Sequence, residues 1–228
     1  TSDNISLSDI IKAIRNAKTD GNIKGIYIEA DDFSSGFAGL EAIHRELLDF
    51  KKSGKFIVSY SDNYTQGSYY VCSVADSVFL NPQGSIGLIG LESRGLFFTG
   101  LAEKLGVEHY IFKVGTYKSA VEPYFLKKFS DANREQLTSI LNSVWENITN
   151  EIASSRKIPT GQLEQYINGG FAIGDASNAI DFKLADALCY RFEAENSVKN
   201  LAGQKVEDKL KSANIDKVAS IKEVNNDN

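Results

Sequence analysis

Lys118 stands in the run Val114-Gly115-Thr116-Tyr117-Lys118-Ser119-Ala120-Val121-Glu122-Pro123-Tyr124, and its neighbours decide what its amine can do. No carboxylate occupies either adjacent position; the nearest acid in sequence is Glu122. Set among Val114, Tyr117, Ala120, Val121 and Tyr124, a lysine can lose much of its hydration. Desolvation disfavours the ammonium and makes the amine a usable base. A lysine with the ordinary pKa near 10.4 is neutral only about one time in 2,500 at pH 7. Lowering it by about three units costs on the order of 4 kcal/mol, which must come from burial. The competing reading is a snorkelling lysine whose stem lies on apolar surface while its head stays in water.

The other chemistry-bearing residues offer less. Cys72 and Cys189 lie far apart without metal-ligand spacing and read as two buried free thiols. His44 falls on an amphipathic helix pattern and His109 at the start of a strand; neither pairs by sequence with a serine or cysteine. No metal site and no cofactor site is expected. Gln83-Gly84-Ser85-Ile86-Gly87-Leu88-Ile89-Gly90 has glycines at the wrong spacing for a dinucleotide loop, and no helix start follows it. It reads better as a strand that permits close backbone approach.

The elements that must position the lysine alternate between helix and strand periodicity, which predicts an α/β fold with parallel pairing. Ser8 is positioned to cap a first helix with Ile10, Ile11, Ile14 and Ala17 on one stripe, ended by Asp20-Gly21. Strands are expected over Ile23–Ile28, Phe56–Val58, Val78–Leu80 and Tyr110–Phe112, the last leading into the lysine run. Helices are expected around Leu40–Phe50, over Tyr69–Ala75, and over Leu96–Leu105 with Gly106 as C-cap. A long amphipathic helix runs from Ser130 towards Ser155, with Leu137, Ile140, Leu141, Val144, Ile148 and Ile152 on one stripe. Pro159-Thr160 starts another, and a final pair follows Gly174-Asp175. Residues 1–203 are expected to form one α/β domain, with 204–228 an extension or linker.

Composition narrows the class. Apolar content of 42% and charged content of 24% are those of an ordinary globular chain. The net charge of −5, without a basic cluster, argues against nucleic-acid binding. No apolar run reaches the length of a membrane span. The chain lacks methionine, initiator included, and is expected to be a fragment from which an anchor or signal has been removed.

Four segments together carry a family resemblance: Ile23-Lys24-Gly25-Ile26-Tyr27-Ile28, Tyr64-Thr65-Gln66-Gly67-Ser68-Tyr69-Tyr70, Ala75 to Gly84, and Val114 to Tyr124. In order and spacing they resemble the amino-terminal half of the long form of the signal peptide peptidase A family, from the first helix through Gly203. The resemblance implies a crotonase-like, Clp-protease-like α/β fold with repeated β-β-α units, and a Ser-Lys dyad in which Lys118 is the general base. In the short form the nucleophilic serine stands just before a Gly-Gly-Tyr-Tyr-like segment; here that position is Gln66, which cannot be an acyl-transfer nucleophile. In the long form the amino-terminal half supplies lysine and the carboxyl-terminal half supplies serine, so this chain fits the first role.

Ser68 and Ser119 are not expected to substitute: a helix turns Ser68 elsewhere, and Ser119 points away from Lys118 if that run is extended. The resemblance further implies signal peptides or other apolar peptides as substrates, a partner carboxyl-terminal half, and a homo-oligomer, a tetramer, on the extracytoplasmic (periplasmic) face of a membrane. Two other functions fit the same fold. One is a non-catalytic scaffold or oligomerisation domain; the other is a crotonase-like acyl-CoA enzyme, for which no carboxylate pair or phosphate-binding basic cluster is seen.

Overall fold

A computed structural model describes residues 5–29, 32–33, 35–112 and 114–221. In chain order its regular elements are α1 (Leu7–Thr19), β1 (Gly25–Glu29), α2 (Phe37–Lys51), β2 (Phe56–Ser61), α3 (Gln66–Cys72), β3 (Ser77–Leu80) and α4 (Thr99–Leu105). After a 3₁₀ turn at Glu122–Tyr124 come α5 (Asp131–Arg156), α6 (Thr160–Asn168), α7 (Ser177–Asp181), β4 (Ala187–Leu188), α8 (Arg191–Leu201) and α9 (Ile215–Ala219), with a second 3₁₀ turn at Phe171–Ile173. The described residues form two compact units. The first comprises the chain up to Ile89 and from Asn150 onward; the second runs from Gly90 to Thr149.

The first unit is built on a four-stranded, all-parallel sheet in the order β1-β2-β3-β4. The expected α/β class is therefore present, with β-α-β connections between the first three strands. Parallel strands are normally covered on both faces and read as apolar runs, as Ile57, Val58, Val78 and Leu80 do here, all fully buried.

Two aspartates dock successive strands in the same way. Asp76 accepts from the Ile57 amide (2.8 Å) and pairs with Lys51 (2.9 Å), while its own amide donates to the Ile57 carbonyl. Asp186 accepts from the Val78 amide (2.7 Å) and pairs with Arg156 (2.7 Å), and its amide donates to the Val78 carbonyl. Each carboxylate thus satisfies an edge amide that the next strand, starting one residue later, does not reach.

Several elements begin or end away from the predicted positions. Ser6, not Ser8, caps α1, its Oγ accepting from the Asp9 amide (3.1 Å). Helix α3 begins at Gln66, earlier than the apolar run suggested, because Thr65 caps it through the Ser68 amide. Strand β2 continues through Ser59 and Ser61, whose side chains are buried in the sheet rather than in a polar loop. The long helix does start after Ser130, whose Oγ accepts from the Asn133 amide (3.1 Å).

The C-terminal stretch packs onto α1. Asn16 is buried and its amide group donates to the carbonyls of Val218 (2.9 Å) and Ile221 (3.0 Å), fastening α9.

In the second unit, α4 ends as predicted at Gly106, which takes φ of +67° while the Val107 amide donates back to the Ala102 carbonyl. The expected strand over Tyr110–Phe112 does not form. Those residues pair with no strand among the described residues, and Tyr110 and Phe112 are 84% and 96% exposed. Their alternation is a genuine β signal, but a strand needs a neighbour to fill its hydrogen bonds.

Candidate active site

Helix α3 presents the residue that stands at the expected nucleophile position. Gln66 is at its first turn, and its Oε1 accepts from the Ile89 amide (3.2 Å). That bond continues a short ladder. Tyr64 donates from its amide to the Ser85 carbonyl (2.9 Å) and accepts from the Gly87 amide (2.8 Å), making one parallel bridge to Ile86. The glycine-spaced segment is thus a single bridge extended by a side chain, rather than the strand expected.

Close approach is real at Gly84. A Cβ there would lie 2.0 Å from the Asp62 carbonyl oxygen. Ile86 and Leu88 point inward and are fully buried, and Tyr166 donates its hydroxyl to the Ile86 carbonyl (2.9 Å).

Of the two serines weighed from the sequence, Ser68 has its hydroxyl occupied. Ser68 is fully buried, and its Oγ donates to the Thr65 carbonyl (3.1 Å) within its own helix. Ser119, in the second unit, is half-buried and its carbonyl accepts from the Glu122 amide (3.0 Å), closing a turn.

Lys118 lies in that second unit on an irregular segment that follows Gly115, whose φ of +98° lets the chain reverse. The lysine is exposed and forms no hydrogen bond or ion pair with another described residue. Val114 and Tyr117 beside it are 81% and 54% exposed. The apolar surroundings read from the sequence are present, but they face outward.

The segment is held from its C-terminal side. The Phe98 amide donates to the Pro123 carbonyl (2.7 Å), and Thr99 Oγ1 donates to the Leu126 carbonyl (2.5 Å). The Glu122 side chain is 1% exposed and accepts from the Ser130 amide (3.2 Å), the Ser130 hydroxyl (2.6 Å) and the Asn133 amide group (2.9 Å).

One cluster escaped sequence reasoning altogether. His44 on α2 is fully buried and stacks on Tyr70 of α3 with centroids 4.6 Å apart. Tyr70 donates to Glu151 of α5; His44 Nδ1 lies 3.6 Å from Glu151 Oε2, and His44 Nε2 lies 3.5 Å from Ser155 Oγ. Burial lowers the His44 pKa, against a smaller opposing pull from Glu151. A serine, a histidine and a carboxylate therefore do meet, contrary to the expectation that His44 is isolated. The imidazole is sealed from solvent, so the cluster braces three helices and cannot touch a substrate. Only the helical i, i+4 spacing of Glu151 and Ser155 hinted at a shared face.

Cys72 is a buried free thiol, as expected, whereas Cys189, also free, is only half-buried, and burial raises the pKa of both. Among the described residues no group of histidine, cysteine and acidic side chains could hold a metal ion, and no helix is long and apolar enough to cross a membrane.

Residues 49–205 match the family model described as Peptidase family S49. This chain belongs to that family. The S49 relatives include Protease 4 of Salmonella typhi, 37% identical over 205 residues that make up 87% of this chain and 33% of that protein. The chloroplastic serine protease SPPA of Arabidopsis thaliana is 28% identical over 96% of this chain and 32% of its own length. A putative signal peptide peptidase SppA of Enterococcus faecium is 24% identical over 84% of this chain and 55% of its own length.

This S49 chain therefore spans about a third of the length of the first two relatives. A solved structure described as an enoyl-CoA hydrotase/isomerase family protein from Silicibacter pomeroyi is 12% identical, covers 79% of this chain and 88% of that one, and has a TM-score of 0.31.

Proposed function

We propose that this S49 chain supplies the general base, Lys118, of a Ser-Lys peptidase site whose serine comes from a part of the protein outside residues 1–228. The observation that carries the reading is the nucleophile position itself: it holds Gln66, already bonded to the Ile89 amide, while Ser68 is buried and bonded within its helix. A base is left without an attacking group. The exposure of Lys118 supports the same reading, since an amine that must be desolvated to act needs a covering surface.

In the assembled site, neutral Lys118 takes the proton of the incoming serine hydroxyl as its oxygen attacks a peptide carbonyl. The acyl-enzyme is then released by water that the same amine deprotonates. Substrates are extended apolar peptides, signal peptides among them, bound through main-chain hydrogen bonds along a strand edge. The relatives' names favour that class. The same reading puts a homo-oligomer, a tetramer, at the extracytoplasmic face of a membrane.

The test is hydrolysis of an apolar fluorogenic peptide by this chain alone, by the chain mixed with the serine-bearing remainder, and by the same mixture carrying Lys118→Ala. The expected result is silence alone, turnover on mixing, and a loss of about 10²- to 10⁴-fold in the variant. Turnover by residues 1–228 alone refutes the half-site, and turnover that survives Lys118→Ala leaves this chain as a scaffold.

A further inference from the structure

Glu122 is the one buried residue between Ala102 and Asn133 among those described, and it is a carboxylate. A carboxylate stripped of water is costly unless hydrogen bonds replace its solvent, and here the donors are fixed ones. Two come from Ser130, the cap of α5, and one from Asn133 in its first turn. The acid thus sits at the N-terminus of a 26-residue helix, where backbone dipoles favour a negative charge. On the other side its amide donates to the Ser119 carbonyl (3.0 Å), and its carbonyl accepts from the Leu126 amide (2.8 Å).

A covalent and hydrogen-bonded path therefore leads from the start of α5, through the Glu122 side chain and main chain, to the peptide next to Lys118. The rest of that segment is held more weakly, its Tyr117 hydroxyl donating to Glu135 Oε2 of α5 at a long 3.5 Å. Gly115, Thr116, Tyr117 and Lys118 are all exposed, and the 3₁₀ turn beginning at Glu122 is three residues long.

The geometry points to Glu122 as the positioning residue for Lys118: its buried carboxylate fixes the lysine turn against the N-terminus of α5 so that the amine is presented in one place. The inference rests on Lys118 being the base. Glu122 touches no reacting atom; it acts through the backbone of residues 119–122. A glutamine there would put an N–H₂ among three donors, and an aspartate would fall short of them by a methylene. Neither can reproduce the anchor.

The experiment compares Glu122→Gln, Glu122→Asp and Lys118→Ala in the mixture with the serine-bearing remainder, with Glu103→Gln as a control that removes only a surface ion pair to Lys127. The readouts are kcat, KM and the pH profile of kcat, together with deuterium uptake by residues 115–121 of this chain alone. Both Glu122 variants are expected to lower kcat at least tenfold, with KM within twofold, and to move the acid limb of the profile by more than half a pH unit. Uptake in 115–121 is expected to rise while the α5 segment 140–156 stays protected. The control should match the unsubstituted chain.

If Lys118→Ala retains activity, the lysine-base reading fails. If Lys118→Ala is inactive while Glu122→Gln keeps both kcat and the acid limb, the positioning role alone is refuted. Unchanged uptake in 115–121 overturns that role whether or not the mixture cleaves peptide. Restoration of kcat by Glu122→Asp would likewise reduce the carboxylate to a generic acid near the helix end.

Discussion

The two units of this chain treat large apolar side chains in opposite ways. In the first, Phe50, Tyr64, Tyr69 and Tyr70 are at most 2% exposed, and the hydroxyls of these three tyrosines find partners: Phe79 for Tyr64, Leu184 for Tyr69 and Glu151 for Tyr70. In the second, Leu96, Tyr110, Phe112 and Val114 are between 78% and 96% exposed, and local order comes from ring pairs such as Phe97–Phe129 and from main-chain bonds around Pro123. Apolar groups exposed on this scale leave a surface that another surface could cover. Buried apolar packing is concentrated in the first unit, and Lys118 lies in the other among exposed apolar side chains.

The largest effect that can break this contrast comes from the first unit. Phe50→Ala, at a fully buried site, is expected to cost about 3–5 kcal/mol of unfolding free energy, read by denaturant titration followed by circular dichroism. A loss below about 1 kcal/mol would show that the sheet unit is not the stable part.

A smaller effect is set by pH. Burial holds His44 below its ordinary range, so as pH falls the unfolded chain takes up a proton that the folded chain resists. The contribution is whole above about pH 6.5 and declines below it, with a slope of at most about 1.4 kcal/mol per pH unit for one proton. His44→Gln should flatten that part of the stability–pH curve. An equally steep curve in the variant would assign the acid sensitivity to other groups.

The smallest effect lies in the second unit. Phe112→Ser is expected to change the stability of residues 1–228 by no more than about 0.5 kcal/mol while weakening association with the serine-bearing remainder. A large stability loss would mean that Phe112 packs within this chain after all.

How far the sequence could be read follows the same division. In the first unit, periodicity located the helices before residue 204, though not α9, and three of the parallel strands, because each element has a buried face that must be apolar and a solvent face that need not be. The misjudged ends are those set by single hydrogen bonds, such as Ser6 capping α1 or Thr65 starting α3, where several polar residues compete for one role. Strand β4 went unread, since two residues cannot display a period. The aspartates before β3 and β4 share the short sequence Ala-Asp, yet their common task needs the neighbouring strand to be seen.

In the second unit the pattern was misleading for a physical reason. Tyr110, Phe112 and Val114 alternate like a strand, but no described strand pairs with them and all three are exposed. For the site, Lys118 drew notice by its apolar neighbours, but its role as base and the significance of Gln66 came only from the family resemblance. The buried state of Glu122 and the meeting of His44 with Glu151 and Ser155 depend on side chains far apart in sequence, which no local window contains.

The closure of the sheet sets the order in which this chain can be made. Strand β4 joins β3, and Asp186 reaches the Val78 amide, across a separation of 108 residues. On a ribosome, β1, β2 and β3 emerge early and can pair through their short connections. The last edge of β3 must wait until the second unit and α5, α6 and α7 have all been synthesised. Contacts of such long range slow folding, because loop entropy is paid before the contact returns anything. During that interval Val78 and Leu80 border an unfilled edge. The lysine-bearing unit is therefore complete in sequence before the sheet that interrupts itself to include it.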